Sequence, residues 1–121
     1  MPPAPRKRLA VVTCMDARID AHRMLDLEEG DAHVIRNAGG LVTDDVIRSL
    51  RLSQELLGTD EIMLVMHEDC GLQGRPDGFA DLEEELSRGV ARLRDEGSIP
   101  RRDAVTGYVY DPKSRELRQV A

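Results

Sequence analysis

The 121-residue chain has only 2 cysteines and 3 histidines, and one of each falls in His67-Glu68-Asp69-Cys70-Gly71. That segment follows the apolar run Ile62–Met66 directly. The other cysteine opens Cys14-Met15-Asp16-Ala17-Arg18, directly after a second apolar run, Leu9–Thr13. One imidazole and two thiolates form a good ligand set for zinc. If Cys14, His67 and Cys70 converge, one tetrahedral position stays open, as at a catalytic rather than a structural zinc.

The residues after Cys14 bear on that open position. Read as an extended segment, Cys14, Asp16 and Arg18 point the same way, because side chains alternate with period two. A carboxylate then stands beside the metal and a guanidinium beside the carboxylate. Two roles for Asp16 remain open. It accepts a hydrogen bond from water at the metal, or it binds the metal itself and closes the site. A bidentate pair with Arg18 would favour the first. A third polar cluster, Arg36-Asn37-Ala38-Gly39-Gly40, also follows an apolar run. Gly39 and Gly40 allow positive φ and close backbone approach, and exposed N–H groups there are candidates for binding a substrate oxyanion. His22, in an expected helix, and His33, in an expected strand, read as structural. Asp44, Asp45 and Glu83-Glu84-Glu85 read as helix-start charge and solvated face.

These clusters need elements to position them. Leu9–Thr13, Ala32–Arg36 and Ile62–Met66 read as buried strands. Ile19–Glu29 is expected as a short helix closed by Gly30. A second helix starts at Thr43-Asp44-Asp45, carries the face Val46, Ile47, Leu50 and Leu57, and closes at Gly58. A third carries Phe79, Leu82, Leu86, Val90 and Leu93. Gly107–Tyr110 and Glu116–Val120 read as two further short strands. The alternation predicts an α/β fold with a mostly parallel four- or five-stranded sheet flanked by helices. In such sheets, sites form beyond the carboxyl ends of the strands, where all three polar clusters lie.

The length fits a single domain over 1–121, with residues 1–8, Pro-rich and basic, as a loose arm. A net charge of −6 argues against nucleic acid and anionic membranes as partners. No apolar run approaches the roughly 20 residues that span a bilayer, and no apolar signal core follows the basic start. Two cysteines in such a chain indicate a reducing, cytoplasmic setting. Aromatic residues number three, Phe79, Tyr108 and Tyr110, so the core is expected to be thin. Part of the apolar surface is then expected to be buried against another subunit.

Taken together and in this order, Cys14-Met15-Asp16-Ala17-Arg18, Arg36-Asn37-Ala38-Gly39 and His67-Glu68-Asp69-Cys70-Gly71 resemble the motifs of the β-class carbonic anhydrases. The likeness is closest to a short actinobacterial-type branch with relatives that hydrolyse carbonyl sulfide or carbon disulfide. The resemblance implies one zinc per chain on Cys14, His67 and Cys70, with Asp16 and Arg18 as a catalytic dyad. It implies a zinc lyase that reversibly hydrates carbon dioxide to bicarbonate by metal-bound hydroxide, in an obligate homodimer or higher even-numbered oligomer with interfacial sites. Two alternatives stand beside it: hydrolysis of carbonyl sulfide or carbon disulfide at the same site, and a non-catalytic zinc-stabilised dimer closed by Asp16. Two departures from the family pattern are visible. The family's N-terminal helical arm is expected to be absent, and the segment between Cys70 and the Phe79 helix is short.

Overall fold

A strand that is apolar on both faces is stable only where both faces are covered. Leu9–Cys14 (β1), buried at every position, accordingly lies inside the sheet. In the computed structural model, which describes residues 1–121, β1 pairs in parallel with Ala32–Asn37 (β2) and with Glu61–His67 (β3). Val105–Tyr110 (β4) pairs in parallel with β3, and Leu117–Gln119 (β5) adds an antiparallel edge. The order β2-β1-β3-β4-β5 is the expected mostly parallel sheet, with five strands.

Three helices connect the strands, and their ends follow local chemistry. Ala21–Met24 (α1) is a single turn, shorter than the expected Ile19–Glu29. Asp20 caps it by accepting from the Arg23 N–H, and Asp26 adopts a left-handed φ of 53° that a continuing helix cannot accommodate. Asp44–Leu57 (α2) starts where Thr43 accepts from the Val46 N–H and ends at left-handed Gly58. Leu82–Asp95 (α3) starts later than the Phe79 periodicity suggests, because Asp81 supplies the cap by accepting from the Glu84 N–H. Phe79 instead bridges to Gln73 and accepts from the Gly74 N–H at 2.7 Å, which folds the segment after Cys70 into a tight loop.

The two faces of the sheet are unequal. Under α2 and α3 lies a core of 18 buried residues, including Val12, Leu50, Leu64, Met66, Leu86 and Leu93. The opposite face carries five: Leu9, Val11, Ile19, Val65 and Tyr110. Single-turn α1 and its flanking loop cover that face, and Met63 and Tyr108 stay half-buried there. The packing is thinner on this side, although two of the three aromatics, Tyr108 and Tyr110, lie there. Residues 1–8, expected to be a loose arm, are tied to the start of β2. The Arg6 N–H donates to the Gly30 carbonyl and the Lys7 N–H to the Asp31 carbonyl, each at 3.0 Å, and the Arg6 guanidinium pairs with Asp31 at 3.0 Å. No helix is long and apolar enough to cross a membrane.

Candidate metal centre

β1 and β3 are adjacent, with Thr13 opposite Val65, so the chain leaves both strands side by side at their carboxyl ends. Cys14 is the last residue of β1, His67 is the last of β3, and Cys70 follows three residues later. The nearest ligand atoms of these three buried side chains all lie within 4.8 Å of one another. The cluster contains neither His22 nor His33. His33 is engaged elsewhere, by Ser53 Oγ at 2.7 Å and the Pro3 carbonyl at 2.8 Å.

The imidazole is prepared as a ligand. His67 Nδ1 lies 2.8 Å from the Glu68 carbonyl oxygen. A carbonyl only accepts, so Nδ1 carries the proton and Nε2 presents its lone pair to the cluster. Nε2 is fully buried and has no hydrogen-bond partner. Leaving such an atom unsatisfied costs about 1–3 kcal/mol, and a cation at the cluster would satisfy it. Both cysteines are free thiols. Burial pushes the Cys70 thiol upward, and the neighbouring Cys14 sulfur adds to the effect. Two adjacent thiols resist becoming two thiolates unless a cation sits between them. A divalent metal reverses that preference outright. The lone pair, the donor chemistry and the convergence all fit zinc.

The Asn37–Gly40 turn serves the sulfur. The sequence suggested exposed N–H groups at its glycines, but Gly39 and Gly40 are both buried. The Gly39 N–H donates to Cys14 Sγ at 3.3 Å and fixes the direction of the sulfur, so this donor is not free for an oxyanion. The expected close backbone approach is present. Gly40 has φ 65°, and a Cβ added there would sit 3.1 Å from both the Cys14 nitrogen and the Thr13 carbonyl carbon.

Asp16 and Arg18 meet, but not through an extended segment. The chain turns after β1, with the Ile19 N–H donating to the Asp16 carbonyl at 3.0 Å. This folds Arg18 back over Asp16. The Arg18 N–H reaches Asp16 Oδ1 at 2.8 Å, Nε reaches Oδ1 at 3.1 Å, and Nη2 reaches Oδ2 at 2.8 Å. The Arg18 side chain, aided by its N–H and opposed by desolvation, holds the Asp16 carboxyl well below the usual carboxylate range. The same pairing raises Arg18 further. Asp16 Oδ2 lies 3.8 Å from His67 Nε2, so an ionised carboxylate stands at the edge of the ligand cluster with its charge directed to Arg18.

Two residues at the centre had no role assigned from sequence. Arg36 donates from Nε to the Cys14 carbonyl at 2.9 Å and from Nη2 to the Asp16 carbonyl at 2.8 Å, pinning the backbone of the first loop. The sheet register sets Arg36 opposite Thr13, and this pairing of neighbouring strands, which residue type and spacing do not reveal, gives it that role. Asp69 accepts from Arg18 at Oδ2 (3.2 Å) and at its main-chain oxygen (2.9 Å). No periodicity points to that contact, which spans 51 positions.

Comparison with known proteins agrees with this geometry. A family model described as carbonic anhydrase matches residues 9–92. The chain is 39% identical to β-carbonic anhydrase 1 of Mycobacterium tuberculosis, across 99% of this chain and 86% of that protein. It is 32% identical to a carbon disulfide hydrolase of Acidianus sp., across 93% and 77% respectively. The crystal structure of a carbonic anhydrase from Streptococcus mutans superposes with a TM-score of 0.93 at 39% identity, covering 100% of this chain and 86% of that one. A parallel sheet that brings two cysteines and a histidine to its carboxyl edge is thus accompanied by likeness in sequence and in fold, and the chain belongs to the β-carbonic anhydrase family.

Proposed function

We propose that the protein catalyses the reversible hydration of carbon dioxide to bicarbonate with one zinc ion per chain. The observation that carries this reading is the buried, unpartnered His67 Nε2 converging with two free thiols beside a carboxylate that an arginine already holds. Cys14 Sγ, His67 Nε2 and Cys70 Sγ would hold the metal. Zinc bound there supplies Lewis acidity that makes hydroxide available near neutral pH. Asp16, kept ionised by Arg18, accepts a hydrogen bond from the attacking hydroxide and turns its lone pair toward the carbon. Addition of hydroxide to carbon dioxide would form one C–O bond and move one C=O π pair onto oxygen to give bicarbonate, and the water that restores the hydroxide would release its proton to solvent. Arg18 keeps Asp16 out of the ligand set, and Arg36 keeps the Cys14–Asp16 backbone in register with it. Gly39 acts through the Cys14 sulfur, and Gly40 lets the turn approach Cys14 closely.

Carbonyl sulfide and carbon disulfide are linear like carbon dioxide, and the likeness to a carbon disulfide hydrolase keeps that second reading in view. Stopped-flow hydration of carbon dioxide by the zinc-loaded protein, run beside sulfide release from both sulfur substrates, separates the two. Carbon dioxide turnover well above the sulfide rate is expected. Sulfide release alone would replace the reading, and no turnover of any of the three would leave a zinc-stabilised scaffold.

We also infer a homodimer, working where thiols stay reduced, as in the cytoplasm. The outer edge of β2 is unpaired. Beside it lies an open groove of about 490 Å³ lined by Val34, Ile35, Leu52, Leu56 and Leu57 among others, with Leu56 72% exposed. Sedimentation at micromolar concentration should give twice the 13.5 kDa chain mass, and a stable monomer would refute the dimer.

A further inference from the structure

Arg18 reaches beyond Asp16, and its second set of bonds has no place in the mechanism above. Its guanidinium is shared between the two loops that carry the candidate ligands. On one edge, Nε and Nη2 hold the Asp16 carboxylate in a fork. On the other, Nη1 donates to Asp69 Oδ2 at 3.2 Å, and Nη2 also donates to the Asp69 carbonyl at 2.9 Å. Asp69 lies between His67 and Cys70 with a left-handed φ of 58°. That conformation is uncommon for residues other than glycine, though aspartate tolerates it. It turns the side chain and the carbonyl of one residue toward the same guanidinium.

An exposed ion pair alone fixes little, and the Asp69 side chain is 74% exposed. This arrangement differs in geometry. Arg18 is planar with a rigid fork of donors, and bonds to two loops on two edges leave that plane little freedom. The consequence appears when Asp16 leaves Arg18. With Asp69 in place, the guanidinium keeps two bonds to the second loop and stays where Asp16 can find it again. Without the Asp69 carboxylate, only the Nη2 bond to the main-chain oxygen of residue 69 remains on that edge, and Arg18, whose side chain is 44% exposed, is free to swing toward solvent.

We propose that Asp69 is a positioning residue that latches Arg18 across the two ligand-bearing loops and so keeps the partner of Asp16 in place. The proposal rests on the zinc-site reading, but its closing test does not depend on turnover alone. Asp69→Gly removes the side chain and relieves the left-handed backbone. Asp69→Asn keeps an accepting oxygen and tolerates the same φ. The Arg18 guanidinium N–H resonances are followed by NMR in the zinc-loaded full chain, together with zinc content and carbon dioxide hydration. Wild type should give a protected Arg18 resonance. Asp69→Gly should lose that protection and about 10-fold in kcat/KM at full zinc occupancy, and Asp69→Asn should recover most of both. An Arg18 resonance and turnover unchanged in Asp69→Gly would overturn the latch. So would zinc loss with an unchanged Arg18 resonance, which would assign Asp69 to the backbone of its loop. If the wild type hydrates no carbon dioxide, the functional reading fails, and the resonance still decides the latch.

Discussion

The two loops that meet at the candidate metal centre are held in different ways. The first, Cys14–Arg18, is anchored through its backbone. Arg36 binds the carbonyls of Cys14 and Asp16, the Gly39 N–H fixes the Cys14 sulfur, and a Cβ at Gly40 would crowd the Cys14 nitrogen at 3.1 Å. The second, His67–Gly71, is anchored on its main chain by the Glu68 N–H donating to the Tyr110 carbonyl at 2.8 Å, and by the carbonyls of Glu68, Asp69 and Cys70 accepting from His67 Nδ1, Arg18 Nη2 and the Gln73 N–H. Exposed side chains make its other ties. Arg118 pairs with Glu68 at 3.3 Å and, from its other amino group, with Glu83 on α3, while Asp69 pairs with Arg18. The buried Gly39–Cys14 bond cannot be swapped for water, whereas the exposed side-chain pairs of the second loop can. The first loop, with its buried tie from Gly39 to the Cys14 sulfur, is therefore expected to hold its place more firmly than the second.

Substitutions in the two loops put that contrast to the test. Cys14→Ser replaces a soft thiolate by a poor ligand. Zinc should fall from about one per chain to near zero, and stability should fall with it, because metal binding is coupled to folding. Arg36→Ala should cost less, about 2 kcal/mol for lost charge-assisted hydrogen bonds to the backbone, with zinc retained less tightly. Arg118→Ala should leave zinc content and melting temperature close to wild type. Elemental analysis and thermal melts on the three variants check the order. Equal losses in Arg36→Ala and Arg118→Ala would erase the distinction between the loops.

A smaller effect sharpens the picture of the second loop. The Cys70 thiol is raised above its ordinary value of 9.0 by burial and by Cys14. The metal-free folded chain therefore keeps a proton that the unfolded chain releases above about pH 9. The stabilisation is fully present below that value and is lost as pH rises through the raised one. If Cys70 ligates zinc, its thiol would already be ionised in the zinc-loaded protein, and this contribution would disappear. Urea melts of both forms from about pH 8 to 10.5 should show a steeper alkaline loss for the metal-free protein. Parallel curves would contradict the assignment of Cys70 as a ligand.

Much of this was legible in the sequence, and the exceptions have physical causes. The apolar runs ending in Cys14 and His67 fixed which strands matter, because continuous burial leaves few other places for them. The caps of α2 were legible because Thr43 and Gly58 act locally. The α1 region misled because its apolar spacing is helical, while left-handed Asp26 ends the helix after one turn and the apolar side chains pack as a loop. The Asp16–Arg18 pairing was expected for the wrong reason: a turn brings the two together, not strand alternation. The roles of Arg36 and Asp69 depend on which strands are neighbours and on one backbone dihedral, and neither quantity has a signature in residue type or spacing.

The central claim is that Arg18 keeps Asp16 ionised and outside the ligand set of a working zinc site. Stopped-flow carbon dioxide hydration by zinc-loaded wild type and Arg18→Ala, at matched zinc content, tests it most directly. The account predicts robust turnover for wild type and a loss of at least about 10-fold for the variant, equivalent to roughly 1.4 kcal/mol in the barrier. An Arg18→Ala protein that hydrates carbon dioxide at the wild-type rate across the pH range would contradict it.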